Sequence, residues 1–161
     1  MSVVVSDTSP LRALAHLGQL NLLSALFTEI YIPPAVVKEL ETPLSKLPPI
    51  LMVSLPFIHI QSPSNYAKVQ HLRTRVDAGE AEALALALEL HADAVIIDEL
   101  IGRRIALELG LSPTGVLGVL LKAKQLKLLL SVTVLIDRLQ SETNFFISPS
   151  LRQEIIRQAS E

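Results

Sequence analysis

The chain has 161 residues, 50% of them apolar and 19% charged, with 14 basic and 16 acidic side chains for a formal charge of -2. That length holds one domain with a real core, and that composition excludes a disordered or tail-like protein. Cysteine is absent, so disulfides, thiolate nucleophiles and cysteine–zinc sites are excluded, and the small negative charge means that a phosphate-rich partner needs a local basic patch.

Val3-Val4-Val5 is a β-branched run closed by Ser6-Asp7-Thr8-Ser9-Pro10. It predicts a buried strand followed by a helix with Ser9 as cap and Pro10 at its first position. A short helix over 20–27 leads to a strand at Ile30-Tyr31-Ile32, stopped by Pro33-Pro34. Val36, Val37 and Leu40 then line a helix that carries Glu39. Residues 42–56 hold Pro43, Pro48, Pro49 and Pro56, which exclude a continuous helix. Ile50, Leu51, Met52 and Val53 make the same stretch a poor free linker, so it reads as a loop or arm packed on its own domain or on a second subunit. An edge strand is expected at 57–60 and a surface helix within 64–76.

Residues 79–91 read GEAEALALALELH, which predicts a helix buried on most sides. Ala94-Val95-Ile96-Ile97 follows as a strand ending at Asp98. Further expectations are a helix over 102–109, a very short strand and a turn within 110–115, and helices over 116–128 and 132–139. A last short strand is expected at Phe145-Phe146-Ile147, before a terminal helix opened by Pro149. No secretory signal opens the chain. The apolar stretch 117–130 is broken by Lys122, Lys124, Gln125 and Lys127 and is too short for a bilayer core of about 30 Å. A cytoplasmic protein without membrane contact is expected. Strands alternate with helices, and the surest strands are unbroken apolar runs, as in parallel sheets covered on both faces. The prediction is a single α/β domain over 1–161.

Ligands of open parallel sheets bind beyond the carboxyl ends of the strands. Asp7 and Asp98 stand at two such ends and could converge if their strands are neighbours; the competing reading makes each a helix cap. Glu80 and Glu82, two apart, point roughly 200° from each other on a helix and cannot both face one site. Asp77 and Glu80 match a capping box, which explains Glu80 locally. Glu82 has no such explanation in its apolar stretch, where an unpaired carboxylate is costly. Carboxylates gathered in one cleft repel one another unless a cation neutralises them, and an all-oxygen set suits Mg²⁺ or Mn²⁺. His16, His59, His71 and His91 share no ligand spacing, and phosphate-loop, dinucleotide and nucleophile-elbow motifs are missing.

SDTSPL at 6–11, PPAVVKEL at 33–40, DAGEAEALALALEL at 77–90, AVIIDE at 94–99 and SPTGVLGVLLKAK at 112–124 together resemble a prokaryotic branch of the PIN-domain superfamily. The likeness runs over nearly the whole chain, including the tail around 146–151, and is looser between 42 and 76. The resemblance implies a PIN-like three-layer sandwich with a parallel sheet in order 3-2-1-4-5. It implies a metal-dependent ribonuclease related to toxins of the VapC kind, which a small antitoxin protein holds inactive. Carried over residue by residue, the four acids are Asp7, Glu39, Glu82 and Asp98, with Glu80 as second choice for the third; Glu39 rests on the resemblance alone. Many PIN nucleases place a further acid or Asn near the position of Thr114, where this chain offers a hydroxyl without charge.

The expected activity is cleavage of single-stranded RNA with Mg²⁺ or Mn²⁺ held by Asp7, Glu39, Glu82 and Asp98, and with Arg12, Arg103 and Arg104 on flanking phosphates. Lys122, Lys124 and Lys127 could extend that track. The alternatives are a PIN-like module that binds nucleic acid or protein without catalysis, and a metal-dependent phosphatase. Surplus apolar surface further suggests a homodimer.

Overall fold

Val3–Ser6 (β1) forms the middle of the sheet because its valines carry no polar alternation; Val4 and Val5 are fully buried, one on each face. β1 pairs in parallel with Glu29–Ile32 (β2) on one side and with Ala94–Ile96 (β4) on the other, in a register that sets Val4 beside Ile30 and Val5 beside Val95. Ile58–Ile60 (β3) extends the sheet beyond β2, and Pro113–Thr114 (β5) beyond β4. The sheet is parallel throughout, in order β3-β2-β1-β4-β5. The computed structural model describes residues 2–44 and 48–161.

Helices cover both faces. Val4, Ile30 and Ile96 pack against Thr8–His16 (α1), Asn21–Leu26 (α2) and Pro34–Glu41 (α3), with the later helices α7–α9 defined below. Val5, Val95 and Ile97 pack against Tyr66–Leu72 (α4), Ala78–Glu89 (α5) and Leu100–Glu108 (α6). α5 is buried along most of its length, from Gly79 to Ala87, as its Ala–Leu sequence requires. Val116–Gln125 (α7), Val132–Glu142 (α8) and Pro149–Gln158 (α9) complete the chain. Among the described residues no helix is long and apolar enough to cross a membrane.

Two local expectations change. α1 begins at Thr8, so Asp7 and not Ser9 occupies the cap position; Pro10 falls within the first turn, whose N–H groups have no helical acceptor anyway. Phe145-Phe146-Ile147 is not a strand: the Phe145 N–H donates to the Thr143 hydroxyl at 3.1 Å, and Gln140 Nε2 donates to the Ile147 carbonyl at 3.3 Å, so side chains satisfy groups that a neighbouring strand would otherwise take. The proline-rich arm packs on its own domain through buried Leu55, with Ile50 and Met52 beside it and one 3-10 turn at Met52–Ser54. Its residues 45–47 lie outside the described residues.

The Glu161 carboxylate closes the N-terminus of α8. It accepts from Val132 N at 2.6 Å, Thr133 N at 3.1 Å and the Ser131 hydroxyl at 2.7 Å, with Lys124 Nζ 3.3 Å away. Although burial pushes in the other direction, these donors hold its pKa down to about 2. A carboxylate lowered in the folded state stabilises it above the ordinary value of 4.5, and that gain is lost as pH falls towards about 2. Glu161→Ala is expected to cost about 1 kcal/mol at pH 7 and close to nothing at pH 2, read by urea unfolding at the two pH values. An equal loss at both would show that the cap acts through packing.

Candidate active site

β1 and β4 end side by side, and their register carries two acids into one place. The Asp7 amide donates to the Ile96 carbonyl at 2.9 Å, continuing the pairing one residue beyond β1, while Asp98 follows two residues after β4. The Ile97 amide in turn donates to the Thr114 carbonyl at 2.8 Å, which brings β5 and the start of α7 against Asp98. Beyond these strand ends opens a cavity of about 1420 Å³. Asp7, Glu39, Asp77, Glu80, Asp98 and Glu99 line it, against three basic side chains, Arg12, Lys38 and Arg103.

Asp7 stands at the cap position of α1, yet its side chain makes no capping bond. It is 3% exposed, and among the described residues its buried Oδ1 has no hydrogen-bond partner. Burial pushes its pKa up to about 8; the Thr8 amide opposes this, while Glu80, Asp77 and Glu39 add repulsion. Asp98 is also used one-sidedly. Its Oδ1 accepts from the Val116 amide at 2.9 Å, capping α7 rather than the helix that follows it in sequence, and its Oδ2 is buried without a partner. Burial raises the Asp98 pKa, and the Val116 amide and the Arg103 charge pull it back.

The third and fourth acids come from α3 and α5. Glu39 accepts a hydrogen bond from the Thr8 hydroxyl, and Arg12 donates to the carbonyls of Glu39 and, at 3.0 Å, of Thr42. Thr8 and Arg12 lie one turn apart on α1, so a single helical face holds both the side chain and the backbone of Glu39. α5 closes on α3 because Gly79 has no side chain: a Cβ there would stand 2.7 Å from both carboxylate oxygens of Glu39. Gly115 serves Asp98 in the same way, since its Cβ would collide with Asp98 Oδ1. Gly115 was expected to form a tight turn; its backbone is extended, and the need is for space. Gly118 leaves room in the same way for the Thr114 hydroxyl.

Glu80 and Glu82 part company. Glu80 is 6% exposed and lines the cavity, and burial together with Asp77, Glu99 and Glu39 pushes its pKa up to about 7. Asp77 caps α5 by accepting from the Glu80 amide at 2.9 Å, half of the expected capping box, which leaves the Glu80 carboxyl free to turn inward. Glu82 does not line the cavity: its Oε1 accepts at 3.2 Å from the amide of Ala35, a lining residue in the first turn of α3. The cavity therefore gathers Asp7, Glu39, Glu80 and Asp98, and not Glu82. Thr114 lines it as well. Asp77 is expected from the sequence only as the cap of α5, and Glu99 and Thr8 have no role assigned there. The one available signal was Gly79, a small residue beside Glu80 on a helix otherwise filled with Ala and Leu.

The basic residues divide similarly. Arg103 lines the cavity and donates to the Ile97 carbonyl at 3.1 Å. Arg12 is buried and committed to the end of α3. Arg104 is exposed outside the cavity, near Glu108. Lys122 lies over the Phe27 ring, and Lys124 donates to the Leu130 carbonyl at 2.6 Å, so neither reaches the acids.

A family model described as a PIN domain matches residues 3–161. The chain belongs to the PIN-domain family. No curated protein matches it significantly. The PIN fold is of nuclease type and generally depends on a divalent metal. The acids of this PIN domain suit such an ion in donor type, and the buried, unpartnered oxygens of Asp7 and Asp98 are atoms that a cation would satisfy. Among the described residues, no three acidic or imidazole side chains yet converge into a ready-made ion cage.

Proposed function

We propose that this PIN domain is a Mg²⁺- or Mn²⁺-dependent ribonuclease that cleaves single-stranded RNA. One observation carries the reading: two buried carboxylate oxygens without partners, on Asp7 and Asp98, end adjacent parallel strands in a cavity that Glu39 and Glu80 share. Among the described residues nothing uses those oxygens, and leaving them unsatisfied is costly. Asp7, Glu39, Glu80 and Asp98 would hold the ion. When bound, the ion supplies charge neutralisation at a phosphodiester and an activated water for in-line attack. Thr8 and Arg12 keep Glu39 in place, and the Val116 amide fixes one oxygen of Asp98 so that the other faces a single direction. Arg103 and Arg12 both line the cavity and would meet a phosphate there; Arg12 also holds the end of α3 through Nη2, while among the described residues its Nη1 is buried without a partner.

With six acids lining the cavity against three basic groups, RNA affinity depends on the cation and falls steeply with salt. Incubation with a mixed-sequence RNA in Mn²⁺ is expected to give cleavage that EDTA abolishes. Cleavage that survives EDTA would overturn the reading. Hydrolysis of small phosphomonoesters but not RNA would replace it with a phosphatase. No cleavage, together with tight binding to a small co-expressed protein, would replace it with a binding module.

A further inference from the structure

We infer that Phe146 is a stacking platform for a nucleobase of the substrate, on the rim of the acid-lined cavity. The inference rests on the ribonuclease reading and adds to it the group that grips the base rather than the phosphate. The chain holds only six aromatic side chains, four Phe and two Tyr. Phe146 is 84% exposed and lines the cavity that holds the acids. Tyr66, the other strongly exposed aromatic, lies away from it.

The exposure is built in. On one side of Phe146, the Phe145 amide is tied to the Thr143 hydroxyl and the Phe145 ring packs against the core. On the other, Ile147 is buried and its carbonyl accepts from Gln140. With both neighbours anchored, the backbone at Phe146 holds the ring out on the cavity rim. It is presented at the rim before any ligand arrives, so little ordering entropy is lost on stacking.

The surroundings favour a base over an apolar protein segment. Asn144 and Gln158 line the same cavity. Gln158 donates through Nε2 to Glu154 at 2.7 Å, and among the described residues its carbonyl oxygen accepts nothing. An apolar partner pressed over this rim would strand those amides and the carboxylates beyond them. A nucleobase offers a flat apolar face for the ring and hydrogen-bonding edges for the amides, with its phosphate free to lie towards Asp7 and Asp98. Stacking on an aromatic ring tolerates any base, so the platform selects unpaired strands rather than a sequence.

The test uses the full chain, its Asp7 intact, in Mn²⁺ with two fluorescent oligonucleotides, a mixed-sequence single-stranded RNA and one of equal length with abasic positions, both built with hydrolysis-resistant phosphorothioate linkages so that the probe stays intact, and both read by anisotropy. Phe146→Ala should weaken binding of the base-bearing strand by about 5- to 150-fold and leave the abasic strand unchanged, with an unaltered melting temperature. Phe146→Trp should restore affinity. As the chain has no tryptophan, its emission would report this position alone and should be quenched by the base-bearing strand only. If Phe146→Ala binds both strands as the parent does, or the tryptophan is indifferent to RNA that binds, the platform is overturned while the ribonuclease reading stands. If the parent, its Asp7 intact, binds no RNA in Mg²⁺ or Mn²⁺, both fall. Loss of a small protein partner in Phe146→Ala with unchanged RNA binding would assign the ring to that partner instead.

Discussion

Asp7→Asn is expected to abolish metal-dependent cleavage and, without metal, to give a protein more stable than the parent at pH 7–8. The Asp7 carboxyl has an ordinary value of 3.8 and is raised to about 8 in the fold. Below pH 4 the group is protonated folded or unfolded and contributes no difference. As pH climbs from 4 to 8, the unfolded chain releases this proton while the folded protein keeps it, so stability falls with rising pH. At about 1.4 kcal/mol per unit, that liability reaches about 5 kcal/mol near pH 8. Asparagine removes it and gives back about 1–3 kcal/mol, because the buried amide inherits an unpartnered position. A net gain of about 2–4 kcal/mol should be seen in urea unfolding in EDTA at pH 8 and should reverse near pH 4. Millimolar Mg²⁺ or Mn²⁺ should raise the melting temperature of the parent and leave the variant unmoved. A variant that still melts higher with metal would show that Asp7 is not a ligand.

That same residue shows what can be read from sequence. The unbroken valines of β1 and the Ala94-Val95-Ile96-Ile97 run announce buried parallel strands, and a strand end followed by Asp is where such sheets bind ligands. The edge position of β3, the buried α5 and the two-residue β5 follow from equally local signals. Phe145-Phe146-Ile147 was misread because an apolar triplet carries no information about whether a neighbouring strand is there to pair with it. The cap of α1 was misread because Ser9-Pro10 is the stronger local signal, while the pairing of Asp7 with Ile96 is a long-range fact. Gly79 and Gly115 say more in retrospect. Each is the space that a carboxylate from another element needs, and a single sequence does not reveal what fills the space beside a glycine.

The choice between Glu80 and Glu82 was open for a physical reason. A helix with one apolar face has its rotation set by that face, but α5 is apolar nearly all round, so hydrophobic periodicity leaves its rotation undetermined. Tertiary contacts set it instead. Asp77 caps the helix through the Glu80 amide, Gly79 admits Glu39, and Glu82 is turned to the Ala35 amide. The two glutamates therefore predict opposite behaviour under the same substitution. Glu80→Gln should lose cleavage and most of the metal-induced rise in melting temperature, and should stabilise the metal-free protein at pH 8, where the raised carboxyl is otherwise forced to ionise among Asp77, Glu99 and Glu39. Glu82→Gln keeps a carbonyl oxygen for the Ala35 amide, so it should cost under about 1 kcal/mol and retain both cleavage and the metal response. Calorimetric melting of the two variants with and without Mn²⁺, beside an RNA cleavage assay, separates them. The reverse pattern, with Glu82→Gln blind to metal and Glu80→Gln still responsive, would mean that α5 turns by roughly half a revolution when the ion binds, and would return Glu82 to the ligand set.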